Sequence, residues 1–190
     1  YYTFNNIRQP NRNRLLWKDN SSDGVKTGHT ESAGYCLISS AKRNDMRLIA
    51  VVAGAKSDKE RFNDTQRLLE YGFRFYSTQE VIKKDNALKE VTVWGGKKDL
   101  VSLGAENNIK LTLPRTTFKN ITISYDFQNN LRAPIKEGQN LGTLIIKDGE
   151  KILHTENLVS LNDVEAKGFF GRLWASFVLW FRGLFGLGNA

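Results

Sequence analysis

The run YCLISSAKRNDMRLIAVVAG, residues 35–54, constrains the fold more than any other part of the chain. Two stretches rich in apolar and β-branched residues flank the polar segment 42–45, and this pattern predicts a β-hairpin whose arms are central strands of a sheet. The lone cysteine, Cys36, lies in the first arm, where we interpret it as a small core residue. A single cysteine has no partner for an internal disulfide.

The segment after the hairpin predicts a helix of about four turns packed on that sheet. Ser57, with Glu60 three residues later, has the spacing of a capping box. We expect Gly72 to end the helix. The apolar residues of its inner face are Phe62, Leu68 and Leu69.

From residue 89 onward the sequence changes to short alternating stretches such as KEVTVWGG, NIKLTLPR and NITISYDF, separated by glycine, proline, asparagine and aspartate. Asp148 and Gly149 lie between two apolar runs and predict a tight hairpin turn. We therefore expect a separate small all-β sandwich or barrel, with the domain boundary between Ser77 and Ala87.

Residues 166–190 predict a terminal amphipathic helix, because most of their aromatic and aliphatic side chains fall on one helical face. Arg172 and Arg182 bracket nine uncharged residues. A bilayer span needs roughly 20, so we expect the helix to lie in the membrane interface. The alternative is a core helix folded back on the β domain. The residues predicted to meet the membrane are Phe170, Arg172, Leu173, Trp174, Phe177, Trp180, Phe181 and Arg182.

The charge distribution argues against a nucleic-acid partner. The chain has a net charge of +8, but residues 77–165 carry 12 basic and 12 acidic side chains. A nucleic-acid binder usually gathers its basic residues into one stripe interleaved with aromatics, and no motif of that class is present. We therefore expect no nucleic-acid partner.

The tripeptide Lys26-Thr27-Gly28 lies in the run DGVKTGHTESAGYC, which NRNRLLW precedes. Together with Arg61 and the later GFFGR, these stretches resemble the low-molecular-mass penicillin-binding proteins that are D-alanyl-D-alanine carboxypeptidases of serine peptidase family S11. The resemblance covers essentially the whole chain. It implies an α+β fold: residues 1–76 as the C-terminal part of a penicillin-binding, β-lactamase-like transpeptidase domain, residues 77–165 as a β-rich accessory domain, and residues 166–190 as a membrane anchor.

The resemblance also implies roles for four consecutive residues of the motif strand. Lys26 would supply positive potential, and the hydroxyl of Thr27 would bind the terminal carboxylate of the substrate. Gly28 would let an extended peptide lie against the strand, since it has no side chain to block the approach. His29 would contribute its backbone N–H to the oxyanion hole, where a fixed dipole stabilises developing negative charge; its imidazole is interpreted as structural.

Arg61 matches the second cation that this family presents to the substrate carboxylate. It lies in the first turn of the predicted helix, where an anion is also favoured by the helix dipole. The alternative is a surface arginine paired with Asp58 or Asp64.

The chain lacks convincing matches to the two other motifs of the family, SxxK and SxN. Ser39 begins the only SxxK match, ending at Lys42, and Ser160 begins the only SxN match. Both follow the KTG motif, whereas the family order places them before it. We place Ser39 at a strand end, where residues three apart point to opposite faces and form no serine–lysine dyad. We therefore expect the nucleophile upstream of Tyr1 and no activity from this chain alone.

The implied partners are peptidoglycan pentapeptides ending in D-Ala-D-Ala, β-lactam antibiotics and a membrane surface, with no metal or other cofactor. The implied location is the periplasmic face of the bacterial inner membrane, in peripheral association. One alternative function is a non-catalytic, membrane-associated peptidoglycan-binding module. A β-lactamase is a second alternative, although it gives no reason for the β-rich domain and the amphipathic tail.

Overall fold

The computed structural model describes residues 1–168 and residue 178, which form two compact units. The first unit contains Tyr1–Gln79 and Leu111–Phe118. The second contains Glu80–Lys110 and, of the described residues that follow, 119–168. Residues 111–118 therefore belong to the first unit, although they lie inside the stretch 77–165 that we predicted as the β-rich domain.

The elements follow one another mostly as strands. In chain order they are β1 (Tyr2–Phe4), β2 (Ile7–Gln9), α1 (Leu15–Lys18), β3 (Ser22–Thr30), β4 (Gly34–Arg43), β5 (Met46–Ala55), α2 (Asp58–Phe75), β6 (Tyr76–Ile82), β7 (Lys89–Trp94), β8 (Leu100–Ala105), β9 (Ile109–Pro114), a short 3₁₀ helix (Thr117–Lys119), β10 (Ile121–Phe127), β11 (Leu131–Arg132), β12 (Asn140–Asp148) and β13 (Lys151–Ser160).

The first unit is built on an antiparallel sheet with the strand order β3-β4-β5. The predicted hairpin is confirmed, since Arg43 pairs with Met46 and leaves Asn44 and Asp45 in the turn. Asn44 has a φ of 52°, a left-handed conformation that asparagine adopts more readily than most residues. Among the described strands β4 is central and β5 is an edge, so the expectation of two central arms was right for β4 alone.

Helix α2 packs on this sheet, as the sequence predicted, but it extends beyond Gly72 to Phe75. At Gly72 a side chain would meet the Cδ1 atom of Leu48 on β5, so the glycine marks a close approach between helix and sheet rather than a helix end. Leu68, predicted on the inner face, is half exposed. The buried core of the unit consists of Leu15, Leu37, Ala41, Met46, Ala50, Leu69 and Phe73.

The predicted capping box begins α2. The Ser57 Oγ accepts a hydrogen bond from the Glu60 N–H at 3.1 Å, and the Glu60 carboxylate accepts one from the Lys56 N–H at 2.7 Å. The first bond satisfies an N–H group that a helix start otherwise leaves without a partner. In the second, the Glu60 carboxylate reaches the N–H of the residue before the N-cap rather than that of Ser57 itself.

Ser57→Ala is expected to lower the free energy of unfolding by about 1 kcal/mol, because it removes the N-cap acceptor. Urea denaturation of the protein measures this change. Ser57→Asp, which keeps an acceptor at the cap, is the control and should stay close to the wild type. An Ala variant as stable as the Asp variant would contradict the capping role.

The second unit contains a sheet with the order β10-β12-β13-β8-β7-β11. Its predicted hairpin is confirmed, because Asp148 pairs with Lys151 across a two-residue turn. Gly149 occupies the first turn position with a φ of +57°, the left-handed conformation for which glycine is favoured. Side chains that are fully or almost fully buried in this unit include Val101, Leu103, Leu144, Ile146 and Leu158.

Residues 111–118 return to the first unit through β9, which pairs with β6. Thr78 and Thr112 join these strands through their hydroxyls at 2.7 Å. Arg115 then donates hydrogen bonds to three carbonyls at the end of α2. Its backbone N–H bonds the Phe75 carbonyl, and its guanidinium bonds the carbonyls of Arg74 and Phe73. A cation at this position suits the negative end of the helix dipole.

The predicted terminal helix lies largely outside the described residues. Residues 169–177 and 179–190, which include all eight predicted membrane-contacting residues, belong to the part that the structure does not describe. Within residues 1–168, no helix is both long enough and apolar enough to cross a bilayer.

Candidate functional site

The KTG motif lies on β3, which is an edge strand among the strands described. In the register with β4, Thr27 lies opposite Leu37 and Gly28 opposite Cys36. The Lys26 side chain is exposed, and its Nζ donates to the Thr27 carbonyl at 2.9 Å. An edge strand can add an extended peptide through its outward backbone groups, which makes this edge a suitable peptide-binding surface.

The space around Gly28 is open. A Cβ atom built there would meet only the Cβ of Cys36, at an ordinary contact distance of 3.9 Å. Cys36, interpreted as a core residue, is only half-buried beside it. Packing within the chain therefore does not require a glycine at residue 28, and the position suits close approach of a ligand backbone.

The motif lines a groove of about 1140 Å³. Four cationic side chains and one carboxylate belong to its lining, so the groove favours an anionic ligand. Those five residues are Arg12, Arg14, Lys26, Arg61 and Asp58.

The NRNRLLW segment forms a second wall of this groove, because a buried asparagine ties it to β3. Asn13 is 2% exposed; its Nδ2 donates to the Gly24 carbonyl at 3.0 Å, and its Oδ1 accepts from the Leu15 N–H at 3.1 Å. The indole of Trp17 donates to the Asn11 carbonyl at 3.3 Å. These contacts hold the intervening Arg12 in the groove lining.

Arg61 reaches the motif strand from the first turn of α2, and its side chain is buried rather than at the surface. The residue is 5% exposed, and its Nη1 donates to the carbonyls of Gly28 at 3.0 Å and Cys36 at 3.3 Å. Its Nη2 bonds Asp58, so the predicted pairing with Asp58 is present, while Asp64 pairs with Arg67 instead.

His29 takes part in an aromatic stack. Its ring lies 4.0 Å from that of Tyr35, its cross-strand partner on β4. The guanidinium of Arg61 lies 5.3 Å from the centroid of the Tyr35 ring. The stack links the imidazole of His29 to the buried arginine and favours a structural role for that ring.

Residues 1–57 match the D-alanyl-D-alanine carboxypeptidase family, and residues 76–166 match the C-terminal domain of penicillin-binding protein 5. The D-alanyl-D-alanine carboxypeptidase DacC of Escherichia coli (strain K12) is 46% identical over 187 residues, which are 97% of this chain and 47% of that protein. DacA of the same strain is 40% identical over 188 residues, 97% of this chain and 46% of that protein.

Among solved structures, penicillin-binding protein 5 from Haemophilus influenzae superposes with a TM-score of 0.72 at 38% identity, over 86% of this chain and 48% of that one. These matches identify the chain as part of a low-molecular-mass penicillin-binding protein. It spans about half the length of the curated relatives that it matches.

In this chain, the structure brings all five predicted substrate-binding residues into the groove lining. These are Lys26, Thr27, Gly28, His29 and Arg61. Sequence reasoning missed Arg12, Arg14 and Tyr35, which share the lining. Both arginines lie within the NRNRLLW stretch that precedes the KTG strand. Two basic residues so close before this motif were the signal that the sequence offered.

The two accidental serine motifs are buried and engaged in structural hydrogen bonds. Ser39 is 0% exposed in the middle of β4, not at its end as we expected, and its Oγ donates to the Gly24 carbonyl at 2.9 Å. Ser160 is 1% exposed, and its Oγ donates to the Asn162 carbonyl at 2.6 Å. Neither serine is placed to attack a substrate in the groove. In the described part of the chain, acidic, histidine and cysteine side chains form no cluster suited to a metal ion.

Proposed function

We propose that the protein containing this chain is a serine-type D-alanyl-D-alanine carboxypeptidase that removes the terminal D-alanine of peptidoglycan stem peptides and is acylated by β-lactams. The observation that carries the proposal is the KTG motif on an edge strand that lines a cationic groove. A peptide ending in a carboxylate needs both features: backbone groups along which to extend and positive charge at its end.

The reaction proceeds by nucleophilic catalysis. A serine oxygen attacks the carbonyl of the penultimate D-alanine, and its proton passes through a basic side chain to the departing amine of the terminal D-alanine. Water then hydrolyses the resulting ester. In this chain Lys26 and Thr27 bind the substrate carboxylate, and the His29 N–H stabilises the oxyanion.

The nucleophile in this proposal lies upstream of Tyr1. The KTG motif is present, the chain covers 47% of the DacC sequence, and Ser39 and Ser160 are buried in structural hydrogen bonds. The chain thus supplies the substrate-binding strand of a site whose serine and lysine come from another segment.

The proposal includes a peripheral membrane location on the periplasmic side. Its support is the composition of residues 166–190, where aromatic side chains and two arginines suit the headgroup region and no acidic residue is present. The proposal also takes the accessory β domain to close as a sandwich.

Labelling with a fluorescent penicillin tests the proposed function. The full-length protein is expected to take the label covalently, whereas the 190-residue chain is expected to remain unlabelled on a denaturing gel. Peptide mapping of the labelled band should identify a serine upstream of Tyr1. A labelled 190-residue chain contradicts the proposed location of the nucleophile.

The same experiment addresses a non-catalytic peptidoglycan-binding module, which the carboxylate-binding residues also support. A module of that kind would leave the full-length protein unlabelled while still binding peptides that end in D-Ala-D-Ala.

A further inference from the structure

A single nitrogen of Arg61 holds two backbone carbonyls at the centre of the site. Its Nη1 donates to the Gly28 oxygen at 3.0 Å and to the Cys36 oxygen at 3.3 Å. Gly28 and Cys36 face each other across β3 and β4. Since one nitrogen reaches both oxygens, the two carbonyls lie on the inner side of this strand pair.

The position of the Gly28 carbonyl also determines the direction in which the N–H group of His29 points. The Gly28 carbonyl and the His29 N–H belong to the same peptide unit, which is trans. A trans peptide is planar, so its C=O and N–H point in opposite directions. With the Gly28 oxygen held toward β4, the His29 N–H is directed to the open edge of β3, where the proposed oxyanion forms.

Asp58 determines where the Arg61 guanidinium sits. Its Oδ1 bonds the Arg61 Nη2, and its Oδ2 bonds the Nε of Arg14 at 2.9 Å. Arg61 is 5% exposed, so little water is available to replace the carboxylate as its partner. Bonds to charged groups are short and directional, and this one holds the guanidinium by Nη2, while Nη1 bonds the strands.

We propose that Asp58 is a positioning residue for the oxyanion hole. It anchors Arg61, Arg61 holds the Gly28 carbonyl, and the His29 N–H is thereby aimed at the reacting carbonyl oxygen. This inference rests on the proposed function. It gives Arg61 a positioning role in addition to its place in the cationic lining of the groove.

Steady-state kinetics of the full-length protein on a synthetic peptide ending in D-Ala-D-Ala test the proposal. Removal of one oxyanion-hole donor lowers kcat about 100- to 1000-fold, so Asp58→Ala, which misdirects the donor, should lower kcat about 10- to 100-fold. KM should stay within about 2-fold, since the affected interaction strengthens only in the transition state. Asp58→Asn, which keeps an acceptor of the same shape, should recover part of the loss.

Asp64→Ala is the matched control. Asp64 lies on the same helix and pairs with the arginine three residues later, Arg67, at 3.7 Å, as Asp58 pairs with Arg61. Arg67 is solvent-exposed, and neither it nor Asp64 belongs to the lining of the groove, so this variant should keep wild-type kcat and KM.

Each other outcome has a defined meaning. A raised KM with unchanged kcat in Asp58→Ala overturns the inference, because it indicates loss of substrate binding through Arg61. An equal kcat loss in Asp64→Ala overturns it as well. If Asp58→Ala does not fold, Asp58→Asn decides, and an unchanged kcat in that variant overturns the inference.

A wild-type protein that releases no D-alanine overturns the proposed function and this inference together. An active wild-type protein whose Asp58 variants are unaffected overturns the inference alone.

Discussion

Lys26→Gln in the full-length protein is expected to slow acylation by penicillin about 100-fold, an effect of the size seen when one preorganised electrostatic group is removed from an active site. Lys26 is exposed on the edge strand, and its ammonium lies over the motif at the Thr27 carbonyl. A cation held there stabilises both the carboxylate of the ligand and the negative charge that develops as the β-lactam carbonyl is attacked. The second-order rate constant for labelling with a fluorescent penicillin measures the change.

Lys59→Gln is the control for net charge. Lys59 is an exposed lysine on α2 that does not belong to the groove lining, and its removal alters the charge of the same unit by the same amount. Labelling of this variant should match that of the wild type. If the two lysine variants slow labelling equally, the effect of Lys26 is one of overall charge rather than of its place in the groove.

Gly142→Val is expected to destabilise the second unit by about 3 kcal/mol or more, at the upper end of the range for overpacked interiors. Gly142 pairs with Phe127 across β12 and β10. A Cβ at this position would meet the carbonyl oxygen of Asp126, and it would lie 2.7 Å from the Cβ and 2.8 Å from the Cα of Phe127. Because backbone atoms cannot rotate away as a side chain can, the two strands would have to separate.

Urea denaturation followed by circular dichroism measures this loss of stability. Gly168→Ala is the control in the same unit, since a Cβ there meets no atom of the described residues within 4 Å. The control should keep the wild-type midpoint. A Gly142→Val protein with an unchanged midpoint would show that β10 and β12 can move apart at little cost.

Local patterns were sufficient to predict two hairpins and the start of α2. The polar turn at residues 42–45, the capping box at Ser57 and the turn at Gly149 each have a local physical cause, and each was confirmed. Gly72 was misread, because a glycine in a helix carries the same local signal whether it ends the helix or lets a strand approach closely. Only the neighbouring Leu48, distant in sequence, distinguishes the two cases.

The site was predictable in part. The KTG motif is contiguous in sequence, so its residues were found by resemblance. The contacts of Arg61 with the Gly28 and Cys36 carbonyls were not, since the arginine lies 33 residues after Gly28 and 25 after Cys36, and their meeting depends on how α2 packs on the sheet. Its burial was missed for the same reason: a charged side chain favours the surface unless it has partners, and besides Asp58 those partners are backbone carbonyls, which leave no mark in the sequence.

The return of residues 111–118 to the first unit bears on how this protein can be divided by experiment or by recombination. A single cut after Gln79 would remove β9 and with it Arg115, which bonds the last carbonyls of α2. The second unit is therefore no simple C-terminal addition to the first. Exchanging the second unit between relatives takes two additional crossover points, one on either side of residues 111–118. Hybrid genes with all of these crossover points should yield folded proteins, whereas hybrids with a single junction should not.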